Sequence, residues 1–261
     1  MYKVGFVGAG NMAFALAKAI ADGGLAERFT VHDISQARLD LFLDALPRVC
    51  VAQSNAEVVR AAEVVFVAVK PQVIDTVLSE IQDTDTVVVS IAAGISLKHL
   101  ESRLKRARVF RVMPNTPCLV REMAAGFAAG SRATPEDAET VRALLSASGT
   151  ALEVQENLLD AVTGLSGSGP AFFARLFEAF IEAGTCNGIS EPIARELTLK
   201  TALGTARLLM EQLTAQQLVD MVSSPGGTTV AGRAVLEASD YREIIIRTVT
   251  AATERSQELG K

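Results

Sequence analysis

The sequence is poor in the residues that usually build metal centres and disulfide frameworks. It has no tryptophan, two histidines (His32 and His99) and three cysteines (Cys50, Cys118 and Cys186) in 261 residues. Two histidines do not make a histidine-rich metal site, and no metal is expected. The cysteines lie far apart, are odd in number and lack CxxC spacing, which argues against zinc and disulfide frameworks and fits the reducing cytoplasm. The longest charge-free stretches are interrupted by Gly, Ser and Pro, and none supplies the roughly 18 apolar residues of a membrane span. A strand-like run starts at once, leaving no room for a signal peptide's charged and apolar regions. There is no basic cluster, and the formal charge is -5, so nucleic acid has little to hold.

What is present is the composition of a folded chain, 49% hydrophobic with 21% charged, long enough for one large domain or two smaller ones. Up to about residue 155, short apolar runs alternate with helical patterns, as in βαβ units around a parallel sheet. Strands are expected at Lys3–Val7, Phe29–His32, Val49–Ala52, Val64–Val69, Thr86–Ile91 and Val109–Met113. Helices are expected from near Asn11, Ser35, Ala56, Gln72 and Ser96. Two further strands, Ala124–Ala129 and Ala151–Val154, flank a helix over Pro135–Ser146, with Thr134 as N-cap and Pro135 at N1.

From Leu158 onward only helical periodicity remains. Helices are expected over Pro170–Gly184, from after Ser190 to Leu213, and over Ala215–Val222, Thr229–Ala238 and Tyr241–Leu259. Gly204, inside the second of these, costs about 1 kcal/mol against Ala and is expected at a close helix contact. The expected architecture is therefore α/β, a Rossmann-like doubly wound sheet over residues 1–157 followed by an all-α domain over 158–261. So few helices have little room for a large core of their own, which suggests packing against a second copy.

Gly8-x-Gly10-x-x-Ala13 stands between the first strand and its helix. The first glycine permits the turn, the second lets backbone approach a pyrophosphate, and the small third residue lets helix pack on strand. The N–H groups and dipole of the new helix face the anion. Asp33 ends the next strand, about 20 residues on, where a ribose-binding acid belongs. A nicotinamide dinucleotide is thus the expected cofactor. Ligands of such sheets lie at the carboxyl ends of strands, which brings Val69, Lys70 and Pro71 to its border. The Lys70 side chain can equally be a solvated loop lysine, with Pro71 opening a helix. The small residues Ala92, Ala93 and Gly94 would let a nicotinamide ring lie against backbone, and Met113–Pro117 follows the next strand.

Ser223-Ser224-Pro225-Gly226-Gly227-Thr228-Thr229 is a shaped loop. Pro fixes one φ, the glycines open conformations closed to other residues, and two threonines start a helix. Exposed N–H groups, a helix start and hydroxyls describe a pocket for a small carboxylate or phosphate. A helix–helix connection with capping threonines is the alternative. Arg233 lies one turn further and is by default a surface arginine.

These segments together resemble pyrroline-5-carboxylate reductases from end to end. The resemblance rests on Val7–Met12, Ala68–Pro71, Ala92–Gly94, Asn115–Pro117, the run Asp160–Ala171 and Ser223–Thr229. It implies NAD(P)H-dependent reduction of 1-pyrroline-5-carboxylate to L-proline, the last step of proline biosynthesis. It implies cofactor contacts from Gly8, Ala9, Gly10, Asn11, Met12, Asp33, Ser35, Asn55, Val69, Lys70, Pro71, Ala92, Ala93 and Gly94. The carboxylate would be held by Ser224, Gly226, Gly227 and Thr228, and the ring nitrogen by Thr229, the catalytic position. Members of the family place the helical domain in an interlocked homodimer whose partner completes each site, often as five dimers in a decamer.

A β-hydroxyacid dehydrogenase has the same domain order. Its pattern Gly-Ser-Gly-x-x-x-Lys-x-x-Asn starts correctly at Gly167-Ser168-Gly169, but Phe173 and Leu176 stand where lysine and asparagine belong, so an alcohol would lose its acid–base partner. A non-catalytic NAD(P)-binding sensor is the other alternative, against which the Ser223–Thr229 loop argues. Asp33 favours NADH, as does Ile34 in a place where related enzymes often put an arginine. Ser35 and Arg38 offer partners to a 2′-phosphate, so both cofactor forms are expected to be usable.

Overall fold

The computed structural model describes residues 1–81 and 84–260. Eight strands form one sheet in the order β3-β2-β1-β4-β5-β6-β7-β8. These are β1 Tyr2–Val7, β2 Ala26–His32, β3 Val49–Val51, β4 Val64–Val67, β5 Val87–Ser90, β6 Arg108–Met113, β7 Met123–Ala129 and β8 Gly149–Glu153. The first six run parallel. β7 then pairs antiparallel with β6, and β8 parallel with β7. The order reverses between β1 and β4, the switch point at which dinucleotides bind in such sheets.

The connecting helices are α1 Asn11–Asp22, α2 Gln36–Ala45, α3 Asn55–Ala61, α4 Ile74–Glu80, α5 Leu97–Arg103 and α6 Pro135–Ser146. The Thr134 hydroxyl accepts the Asp137 N–H, and the Asp137 carboxylate accepts the Thr134 N–H. This reciprocal box, with Pro135 behind it, is why the start of α6 follows from local sequence. β4 ends two residues short of its expected limit because Ala68 and Val69 turn away to meet the Gly8 turn.

Side chains alternate across the sheet and build a core on each face. Phe6, Phe29, Phe66, Phe110 and Phe127 enter one cluster with Phe42 of α2, while Val7, Val65, Val67, Val88 and Val109 enter the other. Phe6 stacks on Phe66 with ring centroids 5.1 Å apart and meets Phe42 edge-on at 5.8 Å. Burying each such ring contributes about 1.5–3 kcal/mol.

The later helices are α7 Leu159–Val162, α8 Gly169–Cys186, α9 Glu191–Glu211, α10 Ala215–Val222, α11 Thr228–Glu237 and α12 Tyr241–Leu259. A five-residue π-helical turn, Thr163–Gly167, follows α7. Two compact units result: Met1–Pro170 together with the chain from Val249 on, and Ala171–Thr248. The sequence changes texture at 157/158, whereas the sheet unit keeps the chain to Pro170 and takes back the end of α12.

Within Ala171–Thr248 only Ala194 is buried. A Cβ on Gly184 would lie 2.9 Å from the Cβ of Ala194, so α8 and α9 touch there. At Gly204 nothing of the chain comes within 4 Å of an added Cβ. The close helix contact within one chain is therefore at Gly184, not at Gly204 as expected. Glycine's low helix propensity marks an unusual position but does not say what, if anything, packs against it.

Candidate active site

The two glycines of the first turn do different work. Gly8 has φ +92°, and an added Cβ would stand 2.7 Å from the Ala68 carbonyl oxygen and 2.9 Å from Val69 Cγ1. Gly8 is thus required by the fold, for its conformation and for the approach of the β1 and β4 ends. Gly10 has an ordinary φ of -66° and nothing within 4 Å of an added Cβ. It caps α1 without a side-chain acceptor, and the first turn carries no acid. The leading N–H groups of α1, from Asn11 and Met12 onward, thus face an open, glycine-floored cradle suited to an anion.

The next strand end closes on this turn. The Ala9 N–H donates to Asp33 Oδ2 at 2.7 Å, and the Ser35 N–H to Asp33 Oδ1 at 2.8 Å. Arg38, one turn into α2, donates from Nη1 to Asn11 Oδ1 at 2.6 Å. Gly8, Ala9, Gly10, Asn11, Met12, Asp33 and Ser35 are thereby gathered into one corner, with Val69 against Gly8. These residues fit a dinucleotide's pyrophosphate and adenosine ribose.

Lys70 is exposed and precedes a short 3-10 turn opened by Pro71. Ala92 is buried at the end of β5, Ala93 is exposed, and Gly94 turns with φ +77°. A Cβ on Gly94 would lie 3.3 Å from the Leu259 carbonyl oxygen, so the end of α12 packs on this turn. Asn55 opens α3, is buried, and donates from Nδ2 to Glu80 Oε2 at 2.8 Å. Its amide is tied to α4 rather than to the glycine turn.

Two polar clusters at the carboxyl end of β6 escaped sequence reasoning. Buried Asn115 accepts the Ala124 N–H at 3.0 Å and donates at 3.2 Å to both the carbonyl and the hydroxyl oxygen of Ser166. It pins the π-helical turn to β7, while Gly167 fits beneath Met113, whose Cε would lie 2.5 Å from an added Cβ. Arg111, with 11% of its side chain exposed, lies 3.3 Å from Glu156 and 3.7 Å from Asp160. The Ser256 hydroxyl donates to Asp160 at 2.7 Å and ties in α12. The motifs Asn115–Pro117 and Asp160–Ala171 hold the two partners of the first cluster, but neither says that they meet. For the second, only Asp160 lies in such a motif; Arg111 is 45 residues from Glu156, and Ser256 is 96 residues from Asp160.

The second unit carries the Ser223–Thr229 loop. The Gly227 N–H donates to the Ser224 carbonyl at 2.9 Å, with Pro225 second in the turn and Gly226 third at φ +71°. This is the pattern of a type II turn, which needs a positive φ at its third residue. Gly227 then caps α11 with no side-chain bond and no acid in the first turn. Ser224, Gly226, Gly227, Thr228 and Thr229 are brought together around an uncapped helix start. Arg233 pairs with Glu237 at 2.9 Å and donates to the Ser223 hydroxyl at 3.3 Å, so it braces the loop.

Residues 156–259 match the family model for pyrroline-5-carboxylate reductase dimerisation, and residues 3–94 match that for NADP oxidoreductase, coenzyme F420-dependent. A pyrroline-5-carboxylate reductase from Synechocystis is 43% identical over 99% of this chain and 98% of its own. The chain belongs to the pyrroline-5-carboxylate reductase family. The reductase of Methanosarcina acetivorans is 41% identical over 99% of this chain and 98% of its own. The solved Coxiella burnetii pyrroline-5-carboxylate reductase superposes with TM-score 0.94 at 34% identity, covering 99% of this chain and 98% of that one. A Plasmodium falciparum family member, solved with NADP bound, superposes with TM-score 0.86 at 30% identity, covering 100% and 98%. A reductase sheet and a family dimerisation domain thus account for this chain from end to end.

Proposed function

We propose that this chain reduces 1-pyrroline-5-carboxylate to L-proline, the last step of proline biosynthesis, with NADPH or NADH. The observation that carries this reading is the Ser224–Gly227 turn, which presents an uncapped helix start and the hydroxyls of Thr228 and Thr229 in a chain that also holds a dinucleotide cradle. Residues 1–157 serve the dinucleotide, and 158–261 the substrate and dimerisation.

The nicotinamide, when bound, supplies the hydride for the C=N carbon. The chain's own part is positioning. N–H groups at the start of α11, with Ser224, Gly226, Gly227 and Thr228, hold the substrate carboxylate and fix which ring face is presented. The Thr229 hydroxyl hydrogen-bonds the ring nitrogen and relays a proton there. A cyclic imine can take up its proton before hydride transfer, so no strong acid is required.

A homodimer with shared sites, repeated in a decamer, is supported by the surface of Ala171–Thr248. Phe173, Phe180, Ile193 and Leu197 are all more than half exposed in the single chain. Apolar exposure on this scale belongs to an interface. Free thiols at Cys50 and Cys186, both exposed, suit the cytoplasm. Among the described residues no helix is long and apolar enough to cross a membrane.

The test is NADPH oxidation followed spectrophotometrically with 1-pyrroline-5-carboxylate, with L-proline identified as product. Turnover supports the reading. Cofactor binding without turnover would make the chain a nucleotide sensor, and turnover only with a 3-hydroxy acid a β-hydroxyacid dehydrogenase.

A further inference from the structure

The turn that follows β5 is not held by its own backbone. Among the described residues, no N–H from Ala93 to Ser96 donates to a backbone acceptor, and the Ala92 N–H reaches only the Ser90 hydroxyl at 3.4 Å. The turn is fixed instead at two points. At the start of α5, Glu156 Oε1 accepts the Leu97 N–H at 2.6 Å. At Gly94 the end of α12 lies on the turn. A Cβ on Gly94 would stand 3.3 Å from the Leu259 carbonyl oxygen, and one on Gly260 would stand 3.3 Å from the Gly94 carbonyl oxygen.

Both points lead back to Arg111. Its Nη1 donates to the same Glu156 oxygen at 3.3 Å, and its Nη2 lies 3.7 Å from Asp160 Oδ1, which also accepts the Ser256 hydroxyl of α12 at 2.7 Å. Along β6, Phe110 and Val112 enter one core cluster, while Val109 enters the other and Met113 packs against it. By alternation Arg111 belongs to that second, apolar face. An ion pair in such a place adds little stability over an apolar filling of similar size, so the fold alone does not call for an arginine. What the arginine supplies is one fixed geometry for the acids it gathers.

We propose that Arg111 and Glu156 are positioning residues for hydride transfer, which lock the Ala92–Leu97 turn at both of its fixed points and with it the backbone against which the nicotinamide ring lies. This rests on the reading that the chain reduces 1-pyrroline-5-carboxylate with a nicotinamide held at Ala92–Gly94. Neither residue touches the reacting atoms. Glu156 acts through the Leu97 N–H, and Arg111 acts by orienting Glu156 and by holding Asp160 for Ser256. A turn without backbone bonds of its own drifts once released, and a displacement of about 1 Å at the reacting ring costs on the order of 100-fold in rate. Removing one of the two anchors releases the turn only in part, because the other remains.

The test separates the ring from the rest of the cofactor. NADPH and 2′-phospho-ADP-ribose, which lacks the nicotinamide, are titrated calorimetrically into the full-length protein, and steady-state kinetics are measured beside them. Glu156→Ala is expected to lower kcat about tenfold, with the KM for 1-pyrroline-5-carboxylate within about threefold of the parent. It should also cut the affinity advantage of NADPH over the fragment about threefold, while the fragment itself binds as before. Glu156→Gln keeps an acceptor for the Leu97 N–H and restores most of both. Arg111→Met reproduces the loss, and added to Glu156→Ala it costs little more, because both act on one turn. Urea unfolding reports the stability of each variant. A Glu156→Ala protein with parent-like kcat and affinity ratio overturns the proposal whatever its stability, as does one that loses NADPH and fragment affinity alike. If the parent reduces the imine and the Glu156 variants match it, only the positioning role fails. If the parent does not reduce the imine while Glu156 still governs the affinity ratio, only the substrate assignment fails.

Discussion

Gly227 sits so close to Ser224 that a Cβ added to it would lie 2.6 Å from the serine hydroxyl and 3.0 Å from its carbonyl oxygen, the acceptor that closes the turn. Gly226 beside it has open space but a φ of +71°. The two glycines are needed for different reasons, one for room and one for conformation. Gly227→Val therefore crowds the Ser224 hydroxyl and carbonyl and should displace the turn and the start of α11. A displacement of about 1 Å at a positioning site costs on the order of 100-fold, and kcat/KM for 1-pyrroline-5-carboxylate should fall at least that far. Nucleotide affinity in the same variant should stay within about threefold, as titration would show, because the cradle is built by other residues.

Thr229→Val keeps the shape of the side chain and removes its hydroxyl. If the hydroxyl orients the imine nitrogen and relays a proton, kcat should drop by roughly 10- to 100-fold with a smaller change in KM. Steady-state kinetics over a range of substrate concentrations check this split. Parent-like kcat would remove Thr229 from the mechanism.

The glycines of the first turn should separate in the opposite sense. Gly8→Ala places a side chain at φ +92° and 2.7 Å from the Ala68 carbonyl, and should destabilise the fold by about 1–3 kcal/mol in urea unfolding. Gly10→Ala meets neither obstacle and should stay within about 1 kcal/mol of the parent. On the proposed cradle its methyl group would intrude where the pyrophosphate would lie, so the KM for NADPH should rise instead.

Asn115→Ala removes a buried amide that serves β7 and the π-helical turn at once. The Ala124 N–H loses its acceptor, and the expected cost is about 1–3 kcal/mol. Urea unfolding reads it directly. A cost near zero would mean that this latch contributes nothing to the fold.

Cys118 gives a pH signature. Burial pushes its thiol above the ordinary value of 9.0, against a smaller opposing effect of the Ser148 hydroxyl. The neutral thiol is favoured in the folded chain, so its contribution to stability is complete below pH 9.0 and declines as the pH rises above it, where the unfolded chain ionises first. The urea midpoint should fall at alkaline pH, and fall less steeply in Cys118→Ala. An identical slope in both would show that the thiol is not the group responsible.

The sequence by itself determined whatever rests on neighbours in the chain. The start of α6 follows from Thr134, Pro135 and Asp137, and the first turn from its glycines, because capping and turn chemistry act within a few residues. The alternation of phenylalanine and valine along β1 and β4 set the two faces of the sheet for the same reason. Only the tertiary structure decided that Gly8 serves the fold while Gly10 leaves the cradle open, since that depends on where the Ala68 carbonyl arrives. The same holds for Asn55 bonding to Glu80, for Asn115 reaching Ser166, and for Arg111 gathering acids from distant segments with Ser256 behind them. Such contacts carry no local signal: they exist because separate pieces of chain, each indifferent to the other in isolation, are packed side by side and must satisfy their buried polar atoms together.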